Sequence, residues 1–229
     1  MNDTMLLVNY KAVIFDLFGT LVHKFPVDES ISVLWDMAGV LDVDTDAFTQ
    51  LWFDSFSERH SGCFPDLEAD IDYVSQKLGV QPDEEQVRKA AQINLDYVAT
   101  HIVPREGAVE LLIWLRDRGY KTGLVSNWSD EVPTVWNDIP LSGYFDVSVF
   151  SCRVGIMKPD PRIYHMACDQ LSLRPEDCLF VGDGDSSELS GASGVGMSTV
   201  LISDGEVEHW SGRQISSLDK VKEILSESN

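Results

Sequence analysis

The hydrophobic positions of this chain fall into short unbroken runs separated by stretches of helical period. Residues 12–15 (Ala-Val-Ile-Phe) form the first run, which stops at Asp16 with the turn-prone Gly19 just beyond. Such a run predicts a strand covered on both faces, as in a parallel sheet. Residues 122–125, 145–150, 178–181 and 199–202 repeat the pattern. Between the runs, 106–118 sets Ala108, Leu111, Leu112 and Leu115 at helical spacing, and 161–171, 187–195 and 217–226 read as further helices. Strand and helix alternate, which predicts a doubly wound α/β architecture with a mostly parallel sheet.

Residues 23–101 depart from that alternation, with several helical segments and no convincing buried strand. Asp44 or Thr45 caps a predicted helix running to about residue 60, and Asp83, followed by Glu85 and Gln86, begins another that reaches about residue 100. Pro104 disfavours helix in the residue before it and marks the return to the alternating pattern. The expected organisation is a core made of 1–22 and 102–229, with an α-helical insertion at 23–101.

Charge narrows the partners. Against 17 basic residues stand 38 acidic ones, a net of −21. That balance repels phosphate backbones and anionic lipid surfaces, so neither nucleic acid nor a membrane is an expected partner. The insertion carries 16 acids and 5 bases, about half of the excess, most simply as solvated helix faces. A pocket for an anionic substrate must therefore be made positive locally, by a metal, a lysine or backbone N–H groups. Cys63, Cys152, Cys168 and Cys178 have no CxxC spacing and read as reduced thiols. The N-terminal segment has no basic region before its apolar stretch, and no run approaches the roughly 20 apolar residues that span a bilayer. A cytoplasmic protein is the expectation.

Ligands of open α/β sheets sit at the carboxyl ends of the strands. Four polar groups fall there: Asp16 in Asp-Leu-Phe-Gly-Thr, Ser126 in Leu-Val-Ser-Asn, Lys158 in Met-Lys-Pro-Asp-Pro, and Asp183 in Val-Gly-Asp-Gly-Asp-Ser-Ser-Glu. Singly, each has a plain role as a cap, a turn residue or a solvated charge. Together, in this order, they resemble the motifs of haloacid dehalogenase-like hydrolases with an α-helical C1-type cap inserted after the first motif. Pro104-Arg105-Glu106-Gly107-Ala108, the run Gly119 to Asn127, and Gly191-Ala192 with Gly196-Met197 extend the likeness over essentially the whole chain.

The resemblance implies a Rossmann-like core, an inserted cap, and magnesium-dependent hydrolysis of a small phosphorylated molecule by a monomer or homodimer. Asp16 would be the carboxylate nucleophile. Ser126 and Lys158 would hold phosphoryl oxygens, and Thr20 and Asn127 would orient nucleophile and phosphate. Mg²⁺ would be held by Asp16, the backbone carbonyl of Phe18 and Asp183.

Two residues depart from the family pattern. Phosphatases of the family usually carry, at the position of Phe18, an Asp that protonates the leaving oxygen, and losing such an acid costs roughly 10²–10⁴-fold in rate. Glu188 stands where an Asp is common; its longer carboxylate can act through a water or bond to Lys158, and Asp185 is a second candidate for that outer role. In the insertion, Arg59 and His23 are the candidate substrate contacts, with Lys24 beside His23 at the exit from the first motif. Trp35, Trp52, Phe53, Phe56 and His60 are core or pocket. One rival reading is a metal-free 2-haloacid dehalogenase using Asp16, which Phe18 suits. The absence of any arginine before Arg59 and the presence of Asp183 oppose it. Another is a binding or regulatory protein that has lost efficient turnover.

Overall fold

The computed structural model describes residues 9–205 and 210–227. Residues 1–8, on which the reading of the N-terminal segment rests, lie outside that range. Among the described residues six parallel strands form one sheet: β1 (Ala12–Phe15), β2 (Lys121–Ser126), β3 (Val147–Phe150), β4 (Cys178–Gly182), β5 (Ser198–Ile202) and β6 (Arg213–Ile215), in the order β3-β2-β1-β4-β5-β6. All four side chains of β1 are fully buried, as its unbroken apolar run requires of a central strand.

Alternate strand residues feed two apolar layers. Val13, Phe15 and Leu124 pack under α6 (Ala108–Asp117) and α11 (Lys220–Glu227). Ala12, Ile14 and Val125 pack under α9 (Pro161–Leu171) and α10 (Glu188–Gly194) on the other face. The register then aligns the site. Phe15 lies opposite Leu124 on one side and Val181 on the other, so Asp16, Ser126 and Asp183 emerge together at the carboxyl edge. The Asp16 N–H donates to the Val181 carbonyl at 3.0 Å.

Five helices lie between β1 and α6: α1 (Val27–Leu41), α2 (Thr45–Asp54), α3 (Phe56–His60), α4 (Leu67–Lys77) and α5 (Glu84–His101). They bury an apolar cluster of their own around Met37, Phe48, Ile71 and Val74. Asp44 accepts from the Ala47 N–H at 2.8 Å, and Asp83 forms a reciprocal capping box with Gln86. The helix expected over 44–60 is broken at Ser55, whose hydroxyl donates to the Trp52 carbonyl and competes with the helical ladder. The chain leaves and re-enters the core at one place: Val22 bridges Pro104, and the Arg105 N–H donates to the Leu21 carbonyl at 2.8 Å. The end of α5 is shared, because Val98 and Ile102 pack with Phe15 and Val22.

Other expectations shift by a few residues. β3 begins at Val147 because residues 140–144 make a 3₁₀ turn, and α11 starts at Lys220. β6 had no sequence signal, since only Ile215 of its three residues is buried at this sheet edge. The four cysteines are free thiols, with the Cys168 and Cys178 sulfurs 3.9 Å apart. Among the described residues no helix is long and apolar enough to cross a membrane.

Candidate active site

Lys158 is the hinge of the site. Its ammonium, 3% exposed, donates to Asp16 Oδ1 and to Glu188 Oε2 at 2.5 Å each. Thr20 Oγ1 donates to the other Asp16 oxygen at 3.2 Å, and the Gly184 N–H donates to Glu188 Oε1 at 3.1 Å. Burial pushes the Asp16 carboxyl above its usual range against the pull of Lys158, and it pushes Glu188 up to about 8 with Asp16 adding to the effect. Burial alone would lower the Lys158 value, but the two carboxylates outweigh it and hold the ammonium charged. Gly182 makes this packing possible: a Cβ there would lie 2.0 Å from Glu188 Oε1.

Asp183 adds a third carboxylate. One oxygen each from Asp16, Asp183 and Glu188 lie within 4.8 Å of one another. Gly19, at φ +82°, cradles Asp183 so closely that a Cβ would meet its Oδ2 at 2.2 Å. The Phe18–Val22 bridge uses the Leu17 carbonyl and the Gly19 N–H, not the Phe18 carbonyl. The Lys24 ammonium rests 2.7 Å from Asp183 and 3.2 Å from Asp185. Clustered hard oxygens with one buried and one exposed ammonium beside them fit a small divalent cation.

Above these acids lies a cavity of about 360 Å³ that reaches Asp16, Ser126, Asn127 and Lys158. The Ser126 hydroxyl is buried there without a partner among the described residues, as a group awaiting a ligand would be. Asn127 is more committed. Its amide accepts from the Lys158 N–H at 2.8 Å and donates to the Lys158 carbonyl at 3.0 Å, pinning the loop that carries the lysine. Phe18 forms wall, stacked on Trp128 at 4.0 Å with Phe25 edge-on at 4.9 Å.

Residues 10–196 match the haloacid dehalogenase-like hydrolases. The chain belongs to that family. It is 26% identical over 234 residues to the glyceraldehyde 3-phosphate phosphatase of Pyrococcus furiosus, covering 96% of this chain and 94% of that protein. A crystal structure of a phosphatase of the family from Thermococcus onnurineus superposes with a TM-score of 0.70 at 24% identity, covering 95% of this chain and 98% of that one. A 2-haloacid dehalogenase from Pseudomonas syringae superposes with a TM-score of 0.74 at 19% identity, covering 96% and 100%. The chain is thus a hydrolase-family member with the family's Rossmann-like fold, and phosphatases stand among its sequence relatives.

The cavity is also lined by residues with no signal in the sequence. Trp128, Glu131, Phe25 and Tyr97 line the cavity, and no spacing rule points to them because they come from a loop after β2, a short helix at 131–135, the exit segment and α5. Lys24 lines it, whereas His23 is exposed and is not part of the lining. Arg59 is buried, and each of its three nitrogens is bonded: to the Ser129 hydroxyl at 2.8 Å, the Trp52 carbonyl at 3.0 Å and the Ser55 hydroxyl at 3.2 Å. Its guanidinium also lies 4.0 Å over the Trp52 ring. Trp35 is half exposed and outside the lining, while Trp52, Phe53, Phe56 and His60 belong to it.

Near Arg59, burial raises Asp70 from 3.8 to about 8, only partly countered by Arg59, and its Oδ1 has no hydrogen-bond partner among the described residues. The folded chain therefore holds a proton that the unfolded chain gives up near pH 4. This contribution to stability falls as pH rises from about 4 to about 8. Asp70→Asn should match the native protein in thermal melts near pH 4 and melt higher at pH 8. An unchanged difference between the two pH values would contradict the shift.

Proposed function

We propose that the chain is a magnesium-dependent phosphatase acting on a small phosphorylated molecule through an aspartyl-phosphate on Asp16. The arrangement that supports this best is the buried Lys158 bridging Asp16 and Glu188, with Asp183 completing a cation-attracting group at the floor of the cavity. A carboxylate oxygen of Asp16 attacks phosphorus, and the bond from phosphorus to the ester oxygen breaks with its electron pair leaving on that oxygen. Water then attacks phosphorus, the bond to Asp16 breaks, and phosphate leaves as the carboxylate is restored. Lys158 and the unpartnered Ser126 hydroxyl are the donors for the phosphoryl oxygens. Magnesium, held by Asp16, Asp183 and the Phe18 carbonyl, would neutralise the charge that two acids and a phosphate bring together. Glu188 and Asp185 act from outside, the first by fixing Lys158, the second by drawing Lys24. In this reading 23–101 is a cap inserted into a core of 1–22 and 102–229, and its helices roof the cavity.

Phe18 favours a second reading, metal-free dehalogenation, because its ring transfers no proton. One experiment separates the two. As a phosphatase, the protein loses activity by roughly 10²-fold or more in EDTA and recovers it with Mg²⁺. Chloride release from 2-chloropropionate that is indifferent to EDTA would overturn the phosphatase reading. Acyl phosphates serve as the first assay substrates, since their leaving group departs without a proton donor.

A further inference from the structure

The cavity wall carries more information than its floor. Trp128, Phe18, Phe25 and Tyr97 form a continuous chain of rings, with centroid separations of 4.0 Å, 4.9 Å and 5.2 Å along it. Trp52 faces the same space, and the mouth is rimmed by apolar side chains left in solvent: Val27 is 70% exposed, Phe53 48% and Phe56 42%. An exposed apolar rim continuous with an apolar wall marks a surface meant to be covered. Against the faces of these rings the polyol of a small sugar phosphate would lose hydrogen bonds to water that the rings do not replace.

Charge at the far end sharpens the requirement. Arg59 is the cation facing the upper cavity, and all three of its nitrogens are already bonded. Burial, with Arg59 beside it, drives His60 well below its usual value, so that the imidazole is neutral. His60 thus offers no charge to a second anionic group, and the Arg59 N–H groups turned to Ser55, Trp52 and Ser129 are committed. Beside Asp16 the neighbouring wall is the Phe18 ring, which has no proton to give. A leaving oxygen against that ring departs most readily as a stable anion.

Resting on the phosphatase reading, we infer that the substrate is an aryl monophosphate. One phosphate meets Lys158 and Ser126, and a neutral aromatic body carrying the phenolic oxygen lies along the Phe18–Trp128–Phe25 wall and out past Phe53. The phenolate leaves without protonation in the site and takes its proton from solvent. The relative named for glyceraldehyde 3-phosphate therefore shares the family chemistry and not this substrate.

The test separates binding from turnover. Binding of 1-naphthyl phosphate and glycerol 3-phosphate to Asp16→Asn protein in Mg²⁺ is measured by calorimetry, and both compounds, with acetyl phosphate, are assayed as substrates of the unmodified protein. Burying two rings predicts at least about tenfold tighter binding of the naphthyl ester. Phe53→Glu, at an exposed position, and Trp128→Ala should each cut that preference to about threefold or less. Equal or tighter binding of glycerol 3-phosphate overturns the inference, as does a preference that both substitutions leave intact. If acetyl and glycerol phosphates are hydrolysed without a naphthyl preference, the phosphatase reading stands and the aryl inference falls. If the naphthyl ester binds tightly but no phosphate is released from any compound, the phosphatase reading falls and the apolar pocket remains.

Discussion

Asp16→Asn is expected to lower turnover by roughly 10⁴-fold or more while the fold survives intact. The amide is nearly isosteric, so its oxygen keeps a bond from Lys158 or Thr20, but it is too weak a nucleophile to open a phosphate ester. The stability forecast is less obvious. Removing one partner of a buried ion pair normally strands the other. Here Lys158 retains Glu188 at 2.5 Å, so it is never left alone. The substitution also deletes a buried negative charge that raises the Glu188 value. A melting temperature equal to or above that of the native protein is therefore expected alongside the loss of activity. Native-level turnover in this variant would exclude Asp16 as nucleophile.

Lys158→Met reverses the stability result. It leaves Asp16 and Glu188, both nearly solvent-free, facing each other with no cation between them. Breaking such a pair from the side of the shared partner costs about 3–5 kcal/mol. At roughly 2–4 °C per kcal/mol for a chain of this size, the melting temperature should fall by about 10 °C. Turnover should fall by roughly 10²–10³-fold with the lost donor to the phosphoryl group. Adding Glu188→Gln should restore part of the melting temperature and none of the turnover, because Glu188 opposes Asp16 once the lysine is gone. Additive losses in the double variant would mean that the three side chains do not act as a unit.

The floor of the site was legible in the sequence for a physical reason. Parallel strands buried on both faces announce themselves as apolar runs, and the residue that ends each run must lie at the carboxyl edge. Asp16, Ser126 and Asp183 follow from that rule, and Lys158 joins them through the loop after β3 and α8 (Ser151–Val154). The Glu188–Lys158 bond was one of two options that the longer side chain left open, and burial of both groups selects it. The wall was not legible. Tyr97 on α5, Trp128 after β2 and Phe25 in the exit segment are scattered along the chain, and only helix packing brings their rings together. An aromatic at helical spacing looks the same in sequence whether it faces a core or a cavity. Arg59 read as a free substrate contact because its three bonds, one of them to Ser129 across the junction, depend on where α3 lands.

The covalent intermediate on Asp16 can be detected directly. Protein mixed with acetyl phosphate and Mg²⁺ in heavy-oxygen water is quenched in acid, digested, and its Asp16 peptide examined by mass spectrometry. The expected peptide is heavier by one phosphoryl group on Asp16, with the heavy oxygen appearing in released phosphate and none in the Asp16 carboxyl after many turnovers. Phosphate release with an unmodified Asp16 peptide at every quench time, or heavy oxygen accumulating in the Asp16 carboxyl, would contradict that intermediate.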